Sequence, residues 1–245
     1  PLSRSAGLPI FPDPAAAGRG GGGPLIDVRT PPAGLPIGTG AKRPGLRLLT
    51  VGVDCAVGKK YSALAIEREM RRRGWKADFR ATGQTGVMIA GSGFAIDSVV
   101  SDFLSGAAEV LSPAAEPDHW DVIEGQGALS HPSFAGVSLG LLHGSQPDAL
   151  VLCVDPTRQV HLGTERAQPY PTPDVATCMD MNLAMARRVN PQVRFVGVCV
   201  NTSGVAPGVR AALLDRYARE TGLPAADPLL DGVAAIVDRI EKEFR

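Results

Sequence analysis

An apolar run, LRLLTVGV from Leu46 to Val53, ends in a glycine-containing loop and continues into a helical pattern from about Lys59 to Arg73. A strand that is apolar along its whole length must be covered on both faces, which places it inside a layered α/β sheet. The pattern recurs. KADFRAT, WDVIEG, DALVLCVD and RFVGVCVN read as four further strands, and helical spacing is expected over residues 94–111, 175–189, 207–221 and 232–244. The expected fold is α/β: a mostly parallel sheet with helices on both faces, joined by right-handed crossovers. Ligands of such sheets collect at the carboxyl ends of the strands. That rule selects Asp54, Arg80, Thr82, Gln84, Glu124, Gln126, Asp155, Arg158 and Asn201, and sends His119, just before a strand, to the far edge.

The loop after the first strand has a specific form. Gly52, five residues, Gly58 and Lys59 make a phosphate-binding loop with one residue more than the usual four between the glycines. Glycines let successive backbone N–H groups point at an anion, and the following helix adds its positive end. The expected grip comprises Gly52, Cys55, Ala56, Val57, Gly58, Lys59, Lys60, Tyr61 and Ser62, with Asn201 reading a ring at the end of the fifth strand. Lys60 stands where nucleotide-hydrolysing enzymes place the Ser or Thr that binds Mg²⁺. A protonated lysine repels a metal, so no metal is expected, and two lysines suit a static diphosphate such as that of coenzyme A. Ser62, two residues on, is the group that would have to replace the missing hydroxyl.

Composition narrows the partners. Lys+Arg and Asp+Glu balance at 25 each, which argues against a nucleic-acid or anionic-membrane surface. The four cysteines form no CxxC pair and suit a reducing, cytoplasmic setting. No apolar stretch approaches the roughly 18 residues of a membrane helix. Residues 1–45 hold 10 Gly and 9 Pro and read as linker or irregular wrapping, with the α/β domain over 46–245. Within that first segment LIDVRTPP is a short edge strand or a tether.

The loop GVDCAVGKK, the strand end in DVIEGQGAL and the strand GVCVN resemble the dethiobiotin synthetases, which implies a fold like that of P-loop NTPases. From about Leu25 onward, TVGVDCAVGKKY, ADFRATGQTGVMIAG, the long segment from DHWDVIEGQGALSHP to DALVLC, and GLPAADP resemble the DgcN family of D-glutamate N-acetyltransferases. That resemblance implies acetyl transfer from acetyl-CoA to the amine of a D-amino acid, D-glutamate first. It also implies a preceding Rossmann-like domain, of which residues 1–45 would be a remnant. The expected partners are a small-molecule substrate and further copies of the chain, as a homo-oligomer.

Amine acetylation requires a base for the amine proton, and a dicarboxylate acceptor calls for Arg or Lys. Glu124, at a strand end beside the loop, is the first choice of base; a carboxylate capping the Gly125–Gly127 backbone is the structural alternative. His131 is the second choice. Asp54 orients Lys59 or serves as base, or holds a local turn. Arg80, Gln84, Gln126 and Arg158 are expected to bind substrate carboxylates or the diphosphate. Cys55 at a helix N-terminus invites a lowered pKa and an acyl-carrier role, against packing as the default. His143 is expected to cap its own helix, and His161, in an irregular segment, has no assignment. Two rival readings stand: an ATP- and Mg-dependent ligase or kinase, and a non-catalytic nucleotide-binding module.

Overall fold

Leu46–Gly52 forms strand β1, buried from Arg47 onward and placed at the middle of a six-stranded sheet. The computed structural model describes residues 27–165 and 168–245. β1 pairs in parallel with β3 (Trp120–Ile123) on one side and β4 (Ala149–Val154) on the other. β2 (Ala77–Arg80) flanks β3, and β5 (Arg194–Val200) and β6 (Ala225–Ala226) continue beyond β4. The resulting order, β2-β3-β1-β4-β5-β6, is parallel throughout. Five strands fall where the apolar runs placed them. β6 is a two-residue strand inside GLPAADP, too short to carry a pattern.

From β1 the chain moves outward to β2 and then returns past β1 to the other edge. Right-handed crossovers therefore put α1 (Lys59–Arg72) on one face and α3 (Leu104–Leu111), α4 (Ala135–Ser145), α5 (Val175–Ala186) and α6 (Pro207–Thr221) on the other. α2 (Gln84–Ala90) follows β2, and α7 (Ala234–Phe244) packs beside α1. The buried stripe of α1, Ala63, Ile66 and Met70, has the 3–4 spacing that faces a sheet. Trp120 of β3 meets Phe244 of α7 edge to face at 5.3 Å. Because β1 has neighbours reached in opposite directions, the crevice at its carboxyl end is the switch point of the sheet.

The expected helix over 94–111 is corrected by the structure. Ile96–Ser98 and Ser101–Phe103 are single 3₁₀ turns, and only Leu104–Leu111 is α-helical. Two features break the helix. Val99 and Val100, β-branched, take extended backbone with ψ 137° and 135°. The Ile96 amide donates to Thr82 O at 2.8 Å, drawing the stretch onto the loop after β2.

In LIDVRTPP the residues from Asp27 onward form bends, not a strand, while Leu25 and Ile26 lie outside the described residues. Residues 36–45 run along α3 and α4. Thr39 and Gly40 amides donate to the Glu109 carboxylate at 2.9 and 3.0 Å. Arg43 donates to Ser112 O and Gly144 O, and Lys42 to Gln146 O, so cations satisfy carbonyls at both helix C-termini. The strap lies so close that a Cβ on Gly106 would overlap the Pro36 carbonyl. Gly106→Ala is expected to cost about 1–3 kcal/mol through overpacking, read as a lower urea midpoint with an unchanged slope. No helix among the described residues is long and apolar enough to cross a membrane.

Candidate active site

Ala56 and Gly58, with φ of 56° and 107°, turn the loop after β1 so that its amides face a cleft of about 850 Å³ lined by Cys55 to Ser62. No side chain caps the start of α1, so its first N–H groups remain open to an anion. Lys59 is buried, and its ammonium donates to the Asp54 carbonyl at 2.7 Å. Burial pushes its pKa below the usual lysine range. Ser62 is also buried. Its hydroxyl donates to Gly58 O at 3.1 Å and receives the Cys153 thiol at 3.4 Å, so it is tied into the helix backbone. Lys60 instead reaches the cleft, with its ammonium 4.8 Å from the centre of the Tyr61 ring.

Glu124 follows β3 and lines the same cleft. Its Oε2 accepts from the Thr82 and Gly83 amides at 3.0 and 3.2 Å, while Oε1 makes no hydrogen bond among the described residues. The amides that it caps are therefore those after β2, not those of Gly125–Gly127. A Cβ on Gly86 would overlap Oε2, which explains why glycine paves this floor. Thr82 Oγ1 donates to Glu124 O at 2.6 Å, and the Gln126 amide donates to Thr82 Oγ1 at 3.0 Å, fixing the two glycine loops to each other. Burial raises the Glu124 pKa, opposed by the two amides and by the fields of Lys60 and Lys59. A carboxylate with one anchored and one open oxygen, and a raised pKa, has the properties of a general base.

Asp54 is fully buried inside the loop after β1 and bonds to the loop after β4. Its carboxylate accepts from His161 Nδ1 at 3.0 Å, the Leu162 amide at 2.8 Å and Arg158 at 3.2 Å. Burial alone would raise its pKa; the bonds from His161, Leu162 and the Cys55 amide outweigh that and hold it below the usual range. His131 stands 3.9 Å away. His131 Nδ1 accepts from the Ser133 amide at 3.0 Å, so a neutral ring carries its proton on Nε2, which faces Leu162 O at 3.0 Å. Asp54, His131 and His161 lie close enough to hold a cation. Both His131 nitrogens are already committed, however, and Arg158 sits against the carboxylate, so the cluster acts as a polar lock between loops. The same bonds engage both ring nitrogens of His131 and both carboxylate oxygens of Asp54.

The other expected site residues divide. Gln126 and, at the opposite end, Asn201 line the cleft, together with Ser203, Pro228 and Leu229. Asp227 braces that end by accepting from the amides of Thr202, Leu229 and Leu230. Gly52 and Val57 support the loop: a Cβ on Gly52 would crowd Val57 and Cys153 O. Arg80 is turned onto Asp121 at 2.7 Å, and the Gln84 side-chain amide lies against the Arg29 guanidinium; neither lines the cleft. Arg158 serves Asp54. Cys55 lines the cleft, but burial pushes its thiol up, opposite to the lowered pKa that an acyl carrier needs. His143 bonds Met185 O of α5 at 3.2 Å, tying two helices together where a cap on its own helix was expected. His119 contacts Asp78 and Asp121 at the far edge. Sequence reasoning missed His161, the Gly83–Gly86 floor, Phe134 at the cleft wall and the Asp227 brace.

A family model described as a domain of unknown function, the DUF1611 C-terminal P-loop domain, matches residues 36–237. A D-glutamate N-acetyltransferase from a Pseudoalteromonas species is 52% identical over 213 residues, 87% of this chain and 63% of that protein. One from Tritonibacter scottomollicae is 46% identical over 230 residues, 94% of this chain and 68% of that protein. The chain thus spans about two thirds of the length of these relatives. A solved DUF1611 family protein from Anabaena variabilis is similar in structure, with a TM-score of 0.85 at 33% identity, covering 98% of this chain and 73% of that one.

Proposed function

Because the chain belongs to the DUF1611 C-terminal P-loop domain family, we propose that it catalyses acetyl transfer from acetyl-CoA to the amine of D-glutamate. The observation that carries this reading is the 52% and 46% identity to proteins named D-glutamate N-acetyltransferase. The cleft supports it. Open amides at the start of α1 and the Lys59 ammonium suit a diphosphate, and the end at Asn201 suits an adenine ring. Acetyl-CoA supplies the acetyl group as a thioester. Glu124 Oε1 takes a proton from the acceptor ammonium; the freed amine then forms the C–N bond as the C–S bond breaks, and the second proton that the nitrogen loses passes to the thiolate, which leaves as the thiol. Lys60 at the metal position and Ser62 tied to Gly58 O both weigh against Mg-dependent phosphoryl transfer. Four free thiols suit work in a reducing cytosol.

The test is thiol release. The chain is incubated with acetyl-CoA and a panel of D- and L-amino acids, and free thiol and N-acetylated product are measured. Release that depends on D-glutamate is expected. Mg-dependent ADP formation from ATP without thiol release would move the assignment to a ligase or kinase. Lys59→Ala is expected to weaken coenzyme A binding about tenfold to a hundredfold by calorimetry, the loss of a charge-assisted contact. Unchanged affinity would sink the phosphate-loop assignment.

A further inference from the structure

Lys59 and Lys60 are adjacent on a helix, so their side chains leave it about 100° apart. Lys59 turns inward to the Asp54 carbonyl. Lys60 lines the same cleft as Glu124, Gly125 and Gln126. The two ammonium groups therefore have different surroundings, a backbone carbonyl for Lys59 and the Tyr61 ring for Lys60. The other cations near this sheet edge are already paired: Arg80 with Asp121, Arg158 with Asp54, Arg29 with Asp97. Among the described residues Lys60 has no carboxylate partner, and its ammonium stands over the Tyr61 ring. An anionic acceptor that brings its amine to Glu124 Oε1 enters the cleft that this ammonium lines.

We propose that Lys60 selects the acceptor: its ammonium takes a carboxylate of an anionic amino acid beside Glu124, while Lys59 and the loop amides hold the donor. This rests on the acetyltransferase reading above. It also gives the lysine at the metal position a task of its own, apart from the diphosphate. A cation there costs the site its Mg²⁺ and gains it a carboxylate partner.

The test compares Lys60→Met and Lys60→Arg with the parent chain in steady-state acetyl transfer. Lys60→Met is expected to raise the KM for D-glutamate about tenfold to a hundredfold, with the KM for acetyl-CoA within about twofold. Lys60→Arg, which keeps the charge, is expected to recover most of the loss. A KM for acetyl-CoA that rises as much as that for D-glutamate would return Lys60 to the diphosphate grip and overturn the proposal, as would an unmoved D-glutamate KM. Calorimetric binding of D-glutamate to the coenzyme A-loaded chain separates the two readings. Binding by the parent chain that Lys60→Met abolishes sustains the role of Lys60 even if turnover is absent and the acetyltransferase reading falls. Turnover with binding equal in both chains overturns Lys60 and leaves that reading standing.

Discussion

Glu124→Gln is expected to lower acetyl transfer by about 10²–10⁴-fold, the usual contribution of a positioned base, while raising the melting temperature at neutral pH. The first effect follows from Oε1, the open oxygen, becoming an amide that cannot take a proton. The second follows from burial, which raises the Glu124 pKa against the amides of Thr82 and Gly83. A carboxyl whose folded pKa is raised favours the folded state below its unfolded pKa, and that advantage is lost as pH rises through the folded value. At neutral pH the ionised side chain therefore opposes folding, and the neutral glutamine, still able to accept from both amides, relieves it. The gain in melting temperature should shrink as pH falls below the ordinary carboxylate range. In the parent chain kcat/KM should rise with pH along a limb lying above that range, and the variant's residual activity should lack the limb. A variant that kept activity within about threefold would remove Glu124 from the chemistry. A melting temperature lowered at every pH would show that its charge supports the fold.

Asp54→Ala is expected to destabilise the chain by about 3–5 kcal/mol, as removal of one partner from a buried ionic cluster does. It strands His161 Nδ1, the Leu162 amide and the Arg158 guanidinium together, and His161 Nε2 already lacks a partner. The measurement is equilibrium unfolding in urea, with hydrogen exchange at the Leu162 amide as the local readout. Exchange there should rise before global unfolding, because that amide has no other acceptor. The carboxyl of Asp54 is held below its ordinary pKa, so its contribution is complete at neutral pH and is lost as pH falls through the folded value. The stability gap between parent and variant should therefore close in acid. A loss of under about 1 kcal/mol at pH 7 would make the contact ordinary for a surface pair and end its description as a lock.

Legibility tracked the range of the interactions. Continuous apolar strands and amphipathic helices are local patterns, and they fixed the sheet and five of its strands. The phosphate loop was legible for the same reason: strand, glycines, lysine and helix are contiguous. The partners of Asp54 were not, since His161 and Leu162 come from an irregular loop 107 and 108 residues away. ATGQTG drew attention to its polar neighbours, Arg80 and Gln84, yet its working parts are backbone amides and missing side chains. Arg80 shares a strand face with Asp78, two residues back, and that face carries it to Asp121. The 94–111 segment has helical spacing, but tertiary capture of the Ile96 amide and two adjacent valines decided its backbone.

The pairing of Arg29 with Asp97, a cleft-lining residue, has a practical consequence for anyone attaching something to this domain. Arg29 thus stands beside the cleft, and the chain from it runs through residues 36–45 to the opposite edge of the sheet, where β1 starts. A label placed on Thr30, the chain neighbour of Arg29, would stand beside the opening and report on, or obstruct, whatever enters. Arg245, stacked 4.0 Å over Trp75 just before β2, lies at the closed edge. A label there leaves the opening clear, so the same molecule offers one position for sensing ligand entry and another that stays apart from it.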